Sequence, residues 1–196
     1  MRNKKELIEW IAILGIIGLI YFTGLHTVII GKIQQAVLYT GLISPEAPSG
    51  EAEASYDMTL EDLDGNRISL QAFDGQVVFM NFWATWCPPC IAEMPDIHDL
   101  YLSTGSEVQF VMISLDRDEK KARKYLKKKA FSFPVYFLRS SLPANYNISS
   151  IPTTYVIDKE GQIQIENVGM AKYNTEDFRA FLLSLSKGDE VVRDTH

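Results

Sequence analysis

Cys87 and Cys90, the only two cysteines in the chain, stand in the run Trp86-Cys87-Pro88-Pro89-Cys90. The run follows an apolar stretch of strand length and opens a helical pattern. A cysteine at a helix start faces the unpaired backbone N–H groups and the positive end of the helix dipole. Both favour the thiolate, and such motifs reach pKa values of roughly 3.5–7.5 instead of about 8.5. Pro88 falls in the first turn, where a missing N–H costs little. Cys90 lies about one turn on, near enough to close a small disulfide. The spacing predicts Cys87 as the attacking nucleophile and Cys90 as the resolving thiol.

Two other uses of the pair fit less well. Zinc needs about four ligands, and the histidines are His26, His98 and His196, in an apolar N-terminal stretch, mid-chain and at the last residue. No metal is expected. A purely structural bridge across so short a loop would constrain little of the unfolded chain. The pair is therefore expected to be a redox-active disulfide, with no further cofactor.

The surrounding pattern must place that turn. Gln76–Trp83 and Val108–Leu115 are continuous apolar runs and predict two central buried strands. A helix is predicted from Pro88 to about Leu102, bent at Pro95, and a second, highly charged one over Asp116–Ala130. Asp64-Gly65-Asn66, between Met58–Leu63 and Arg67–Leu70, predicts an N-terminal β-hairpin. Pro134–Leu138 reads as a further strand. Thr153–Ile157 and Gln162–Val168 flank a second hairpin turn. Asn174 or Thr175 caps a final helix, Glu176–Leu185. The order predicts an α/β fold with a mixed central sheet flanked by helices.

The N-terminal part differs in kind. Trp10–Gly31 is nearly all apolar and carries no formal charge. At about 1.5 Å per residue it is long enough to cross the roughly 30 Å hydrocarbon core. It reads as a transmembrane helix rather than a cleaved signal peptide, whose apolar region is shorter and ends at small residues. Arg2, Lys4 and Lys5 place residues 1–9 in the cytoplasm by the positive-inside rule. Residues 32–55 read as a juxtamembrane segment and polar tether, and 56–196 as the globular domain. A single-pass protein of the cytoplasmic (inner) membrane is expected, its C-terminal domain facing the periplasm or cell exterior.

Net charge is −6 over 196 residues, with 46% hydrophobic and 22% charged. That composition excludes a disordered chain and a multi-span membrane protein. An acidic chain is no general nucleic-acid binder. The bases that remain concentrate in Lys120–Lys129, which reads as a solvated helix face.

The run Asn81 to Cys90 (NFWATWCPPC), followed by Glu93-Met94-Pro95, resembles the TlpA/ResA-type thiol–disulfide oxidoreductases. Ser150-Ile151-Pro152-Thr153-Thr154, followed by Tyr155-Val156-Ile157-Asp158, is similar to a second family motif at the family's separation. The resemblance covers about 56–187. It implies a thioredoxin-like fold on a membrane anchor, and a cis Pro152 beside the cysteines that docks substrate. Trp86, Ile151 and Thr153 are then the substrate-contacting candidates. Thioredoxins proper carry a buried Asp at the position of Asn81. Asn cannot ionise, so Glu93 is the candidate for proton transfer to Cys90, against the alternative that it merely suits the helix dipole.

The expected function is an envelope thiol–disulfide oxidoreductase acting as a reductant of protein disulfides. The resemblance adds cytochrome c maturation as a setting. The expected partners are disulfide-containing envelope proteins, a membrane dithiol electron donor and, through the anchor, the lipid bilayer. Alternatives are a disulfide-forming oxidant, a peroxiredoxin-like peroxidase, or a non-catalytic tethered binding module. The peroxidatic Pro-x-x-x-Thr/Ser-x-x-Cys pattern is missing ahead of Cys87, where Asn81 stands four before Thr85.

Overall fold

The computed structural model describes residues 4–23, 33 and 52–187. Eight strands form one sheet: β1 (Ala52–Glu53), β2 (Thr59–Asp62), β3 (Arg67–Ser69), β4 (Val78–Trp83), β5 (Gln109–Ser114), β6 (Val135–Leu138), β7 (Thr153–Ile157) and β8 (Gln162–Val168). Their spatial order is β1-β8-β7-β4-β5-β6-β2-β3. Strands β4, β5 and β6 run parallel, and the pairings of β1, β2, β3, β7 and β8 are antiparallel. This is the mixed thioredoxin-like sheet that the sequence predicts. Within 4–23 and 52–187 the α-helices are α1 (Lys4–Phe22), α2 (Pro88–Thr104), α3 (Glu119–Lys129) and α4 (Glu176–Lys187).

Every residue of β4 is buried, as a central strand flanked on both sides requires. Its side chains alternate between two cores. Phe79 and Trp83 face Met94, Ile97 and Leu100 of α2, with Ala122 and Leu126 of α3 and Phe178 and Leu182 of α4 in the same core. Val78, Met80 and Phe82 face the opposite layer, built on Leu60, Leu70, Tyr146 and Tyr155. Asn81 lies on the helix-facing side, between two large aromatics, and breaks the apolar pattern there. Helix α2 continues through Pro95.

The predicted N-terminal hairpin is β2–β3, docked on β6 with Leu60 opposite Leu138. Arg139 clasps it: Nε and Nη2 donate to the two oxygens of Glu61 at 3.0 and 2.8 Å. The chain then leaves β3 directly into a 3-10 turn over Leu70–Phe73, capped by Ser69. At the other edge, Ala52 and Glu53 pair with Ile163 and Gln162 as an added strand, although the sequence places them in the tether.

Among the described residues no helix is long and apolar enough to cross a membrane. Helix α1 begins with Lys4, Lys5, Glu6 and Glu9 and is described only as far as Phe22. The rest of the Trp10–Gly31 segment, like most of 32–51, lies outside the described residues.

Candidate active site at the start of helix α2

Strand β4 ends at Trp83, and the chain turns over Ala84–Trp86 to deliver Cys87 as the N-cap of α2. Cys87 has extended backbone torsions, and its Sγ accepts the N–H of Cys90 at 3.2 Å. Pro88 and Pro89 fill the first helical positions, where no N–H is needed. Cys87 and Cys90 are joined in a disulfide with their Cα atoms 5.3 Å apart. The two sulfurs differ in surroundings: Cys87 retains 4% exposure and Cys90 none.

The start of β7 closes the site from the other side. The Ile151–Pro152 peptide is cis. The Ile151 carbonyl oxygen lies 3.6 Å from Cys87 Sγ. Pro152 is buried, and its own carbonyl accepts the N–H of Gly169 at 2.8 Å. Gly169 has φ +101°, a conformation that favours glycine. Trp86 is 61% exposed beside the disulfide, and Ile151 is half-buried. Thr153 is placed differently: it is fully buried, its hydroxyl donates to Ser150 O at 2.6 Å, and its backbone lies between β4 and β8. Trp83 is fully buried under the turn, with its indole N–H unpartnered.

Beneath the cysteines lies a buried polar cluster. Glu93, one turn after Cys90, has no exposed surface. Its Oε1 accepts from Asn81 Nδ2 at 2.9 Å and its Oε2 from the Ala171 N–H at 3.3 Å. Burial outweighs these donors and pushes its carboxyl up to about 8, with the charge of Asp96 adding to the rise. Asn81 Nδ2 also donates to Thr154 Oγ1, which accepts from the Tyr173 hydroxyl at 2.7 Å. Asp96 accepts the backbone N–H groups of Tyr173 and Asn174, at 2.6 and 2.9 Å, and so fastens this segment to α2. Burial still raises its carboxyl.

A second carboxylate holds the turn itself. Asp116 accepts the backbone N–H of Thr85 at 2.9 Å, its hydroxyl at 2.6 Å, and the Ser114 hydroxyl at 3.0 Å. The sequence pattern assigns Asp116 to the charged helix. The structure starts that helix at Glu119, with Asp118 as N-cap, and leaves Asp116 at the carboxyl end of β5. An acid directly after an apolar run, at the edge where α/β proteins build their sites, was the available signal. His98 is packed among Tyr101, Phe131 and Phe133, with Nε2 on Ser132.

The redoxin family model matches residues 46–182. The chain belongs to the redoxin family. It is 32% identical over 164 residues to the thioredoxin-like protein YneN of Bacillus subtilis, across 82% of this chain and 90% of that one. It is 31% identical over 142 residues to the thiol-disulfide oxidoreductase ResA of Geobacillus kaustophilus, across 71% and 82%. Among solved structures, a thiol:disulfide interchange protein of Chlorobium tepidum superposes with TM-score 0.57 at 26% identity, over 72% of this chain and 98% of that one. This redoxin is of the ResA/TlpA type within the thioredoxin superfamily, and it is a thiol–disulfide oxidoreductase.

Proposed function

We propose that the protein reduces disulfides in proteins of the cell envelope. Cys87, as thiolate, attacks one sulfur of a substrate disulfide, and the other substrate sulfur leaves as a thiolate and takes up a proton. Cys90 then loses its proton to the Glu93 carboxylate and attacks Cys87. The Cys87–Cys90 disulfide forms, and the second substrate sulfur departs as a thiolate that takes the proton from Glu93 and leaves as a thiol. Two electrons pass to the substrate, and two protons accompany them.

One observation carries the direction. Across the site the Ile151 carbonyl oxygen stands 3.6 Å from the Cys87 sulfur, an acceptor that opposes a thiolate. Strong oxidants of this superfamily stabilise their reduced form. A site that offers the helix start alone on one side, and a carbonyl on the other, gives the thiolate less help and favours a reductant.

Ile151, Pro152 and Thr153 form the docking segment in this reading, with Trp86 as the exposed contact. Thr153 contributes by shaping that segment from within the sheet. The exposed Ile8, Trp10, Ile11 and Leu14 of α1 support a membrane anchor. The domain would then face the periplasm or the cell exterior. With only two cysteines, the chain cannot relay electrons onward from a third thiol, so a membrane dithiol protein must recharge it. The family resemblance extends this reading to the haem-site disulfide of apocytochrome c, in cytochrome c maturation, as the substrate class.

The test is covalent capture. Cys90→Ser should accumulate mixed disulfides through Cys87, because the resolving step is lost. Capture through Cys90 in a Cys87→Ser variant, with none through Cys87, would reverse the assignment.

A further inference from the structure

Asn81 is fully buried on the helix-facing side of β4, and its Oδ1 has no hydrogen-bond partner. An unpaired buried carbonyl is costly, so the orientation of this amide needs a reason. Both of its Nδ2 contacts, Glu93 Oε1 and Thr154 Oγ1, lie at 2.9 Å. With Ala171 N–H on Oε2, each oxygen of Glu93 faces a donor. That arrangement suits a carboxylate. It does not suit the acid, whose proton meets a donor at either oxygen.

Turning the amide by half a revolution relieves the contact with the protonated carboxyl and moves the Nδ2 hydrogens to the side where Oδ1 now stands unpaired. Oδ1 would then accept the Glu93 O–H. It would also accept the Thr154 O–H, whose oxygen already receives the Tyr173 hydroxyl and whose hydrogen has no acceptor among the described residues as the amide now stands. Thr154 can donate as readily as it accepts, and a carboxyl can do both once protonated. Asn81 therefore sits between two groups that tolerate either face of its amide.

We propose that Asn81 is a positioning residue for Glu93 that serves both forms of the carboxyl from two amide orientations, Nδ2 inward for the carboxylate and Oδ1 inward for the acid. A fixed acid such as Asp could not present a donor to the carboxylate, and an apolar residue could serve neither form. The other titratable groups around Glu93 are Asp96 on α2 and Tyr173 before α4, with Lys172 acting on Asp96, while Cys90, one turn before Glu93, is held in the disulfide. Burial holds the Tyr173 hydroxyl well above its ordinary range, so it stays neutral throughout. Burial also places the Glu93 midpoint at about 8, so both forms are populated near neutrality. The consequence for turnover rests on the proposed proton exchange between Glu93 and Cys90; the turning of the amide does not.

The decisive experiment is nuclear magnetic resonance on the full-length oxidised protein, with labelled Asn side-chain amides and Glu carboxyls, titrated across the Glu93 midpoint. The expected result is a contact between the Asn81 amide protons and the Thr154 methyl on the alkaline side. It should be lost on the acid side with the same midpoint as the Glu93 carboxyl. A contact that persists through that midpoint, or a Glu93 that does not titrate, overturns the proposal. Variants give a second readout, the release of a mixed disulfide by Cys90. Asn81→Ala should slow it roughly tenfold and flatten its pH profile, while Asn81→Ser, whose hydroxyl both donates and accepts, should keep the profile. Equal losses in the two variants would also overturn it. An unchanged profile in Glu93→Gln would instead sink the proposed proton role and leave the spectroscopic test standing.

Discussion

The Cys87 sulfur lies 3.6 Å from the carbonyl oxygen of Ile151, a residue 64 positions further along the chain. The pairing of β4 with β7 brings them together: Phe82 stands opposite Thr153, so the residues just beyond each strand end meet at one edge of the sheet. In the proposed reading, Ile151 and the exposed Trp86 are the residues that a substrate reaching Cys87 meets.

Trp86→Ala should therefore weaken substrate engagement while the fold persists. At 61% exposure the indole buries little within the domain, so stability should change by less than about 0.5 kcal/mol. Steady-state insulin reduction, read alongside a thermal melt, checks this. A raised KM with an unshifted melting temperature is expected, and a lowered melting temperature would make Trp86 a packing residue.

Glu93 makes stability depend on pH. Its carboxyl ordinarily titrates near 4.5 and is held at about 8 in the fold. The folded protein keeps a proton that the unfolded chain releases, so this contribution is complete below about pH 4.5 and is lost as pH rises through about 8. Glu93→Gln cannot ionise and should escape that decline. Urea denaturation across pH should show the variant gaining on the parent by on the order of 5 kcal/mol between acid and alkaline limits. Parallel curves would mean that Glu93 is not the buried acid described.

Asp116 is expected to matter more than its distance in sequence from the cysteines suggests. Asp116→Ala leaves the Thr85 N–H and two hydroxyls without their acceptor, at a cost of about 1–3 kcal/mol. The same loss frees the turn that presents Trp86 and Cys87. Chemical denaturation and disulfide-exchange rates should fall together. Lost stability with full exchange activity would confine Asp116 to a structural role.

Much of this architecture is written in local pattern. β7 and β8 follow the predicted bounds because a β-branched, aromatic run and an alternating apolar–polar run flank a short turn at Asp158–Gly161, and the run of β4, apolar except for Asn81, betrays its central place. The cysteine pair was legible for the same reason, since strand, tight turn and proline-started helix are contiguous. What joins distant segments was not. Asp116 reads as part of a charged helix until β5 sets it beside Thr85, and Tyr173 and Thr154 look like core residues until they join Asn81 and Glu93 in one hydrogen-bonded cluster. Ala52 and Glu53, polar-flanked and only two residues long, carry no strand pattern and are ordered by the open edge of β8.

The most direct test of the reductant account is the redox state of Cys87 and Cys90 in growing cells, fixed by rapid acid quench and thiol alkylation. The account predicts a pair that is largely reduced in the presence of a membrane dithiol donor and becomes oxidised when that donor is removed. A pair that stays oxidised whatever donors are present would contradict it and identify a disulfide-forming oxidant.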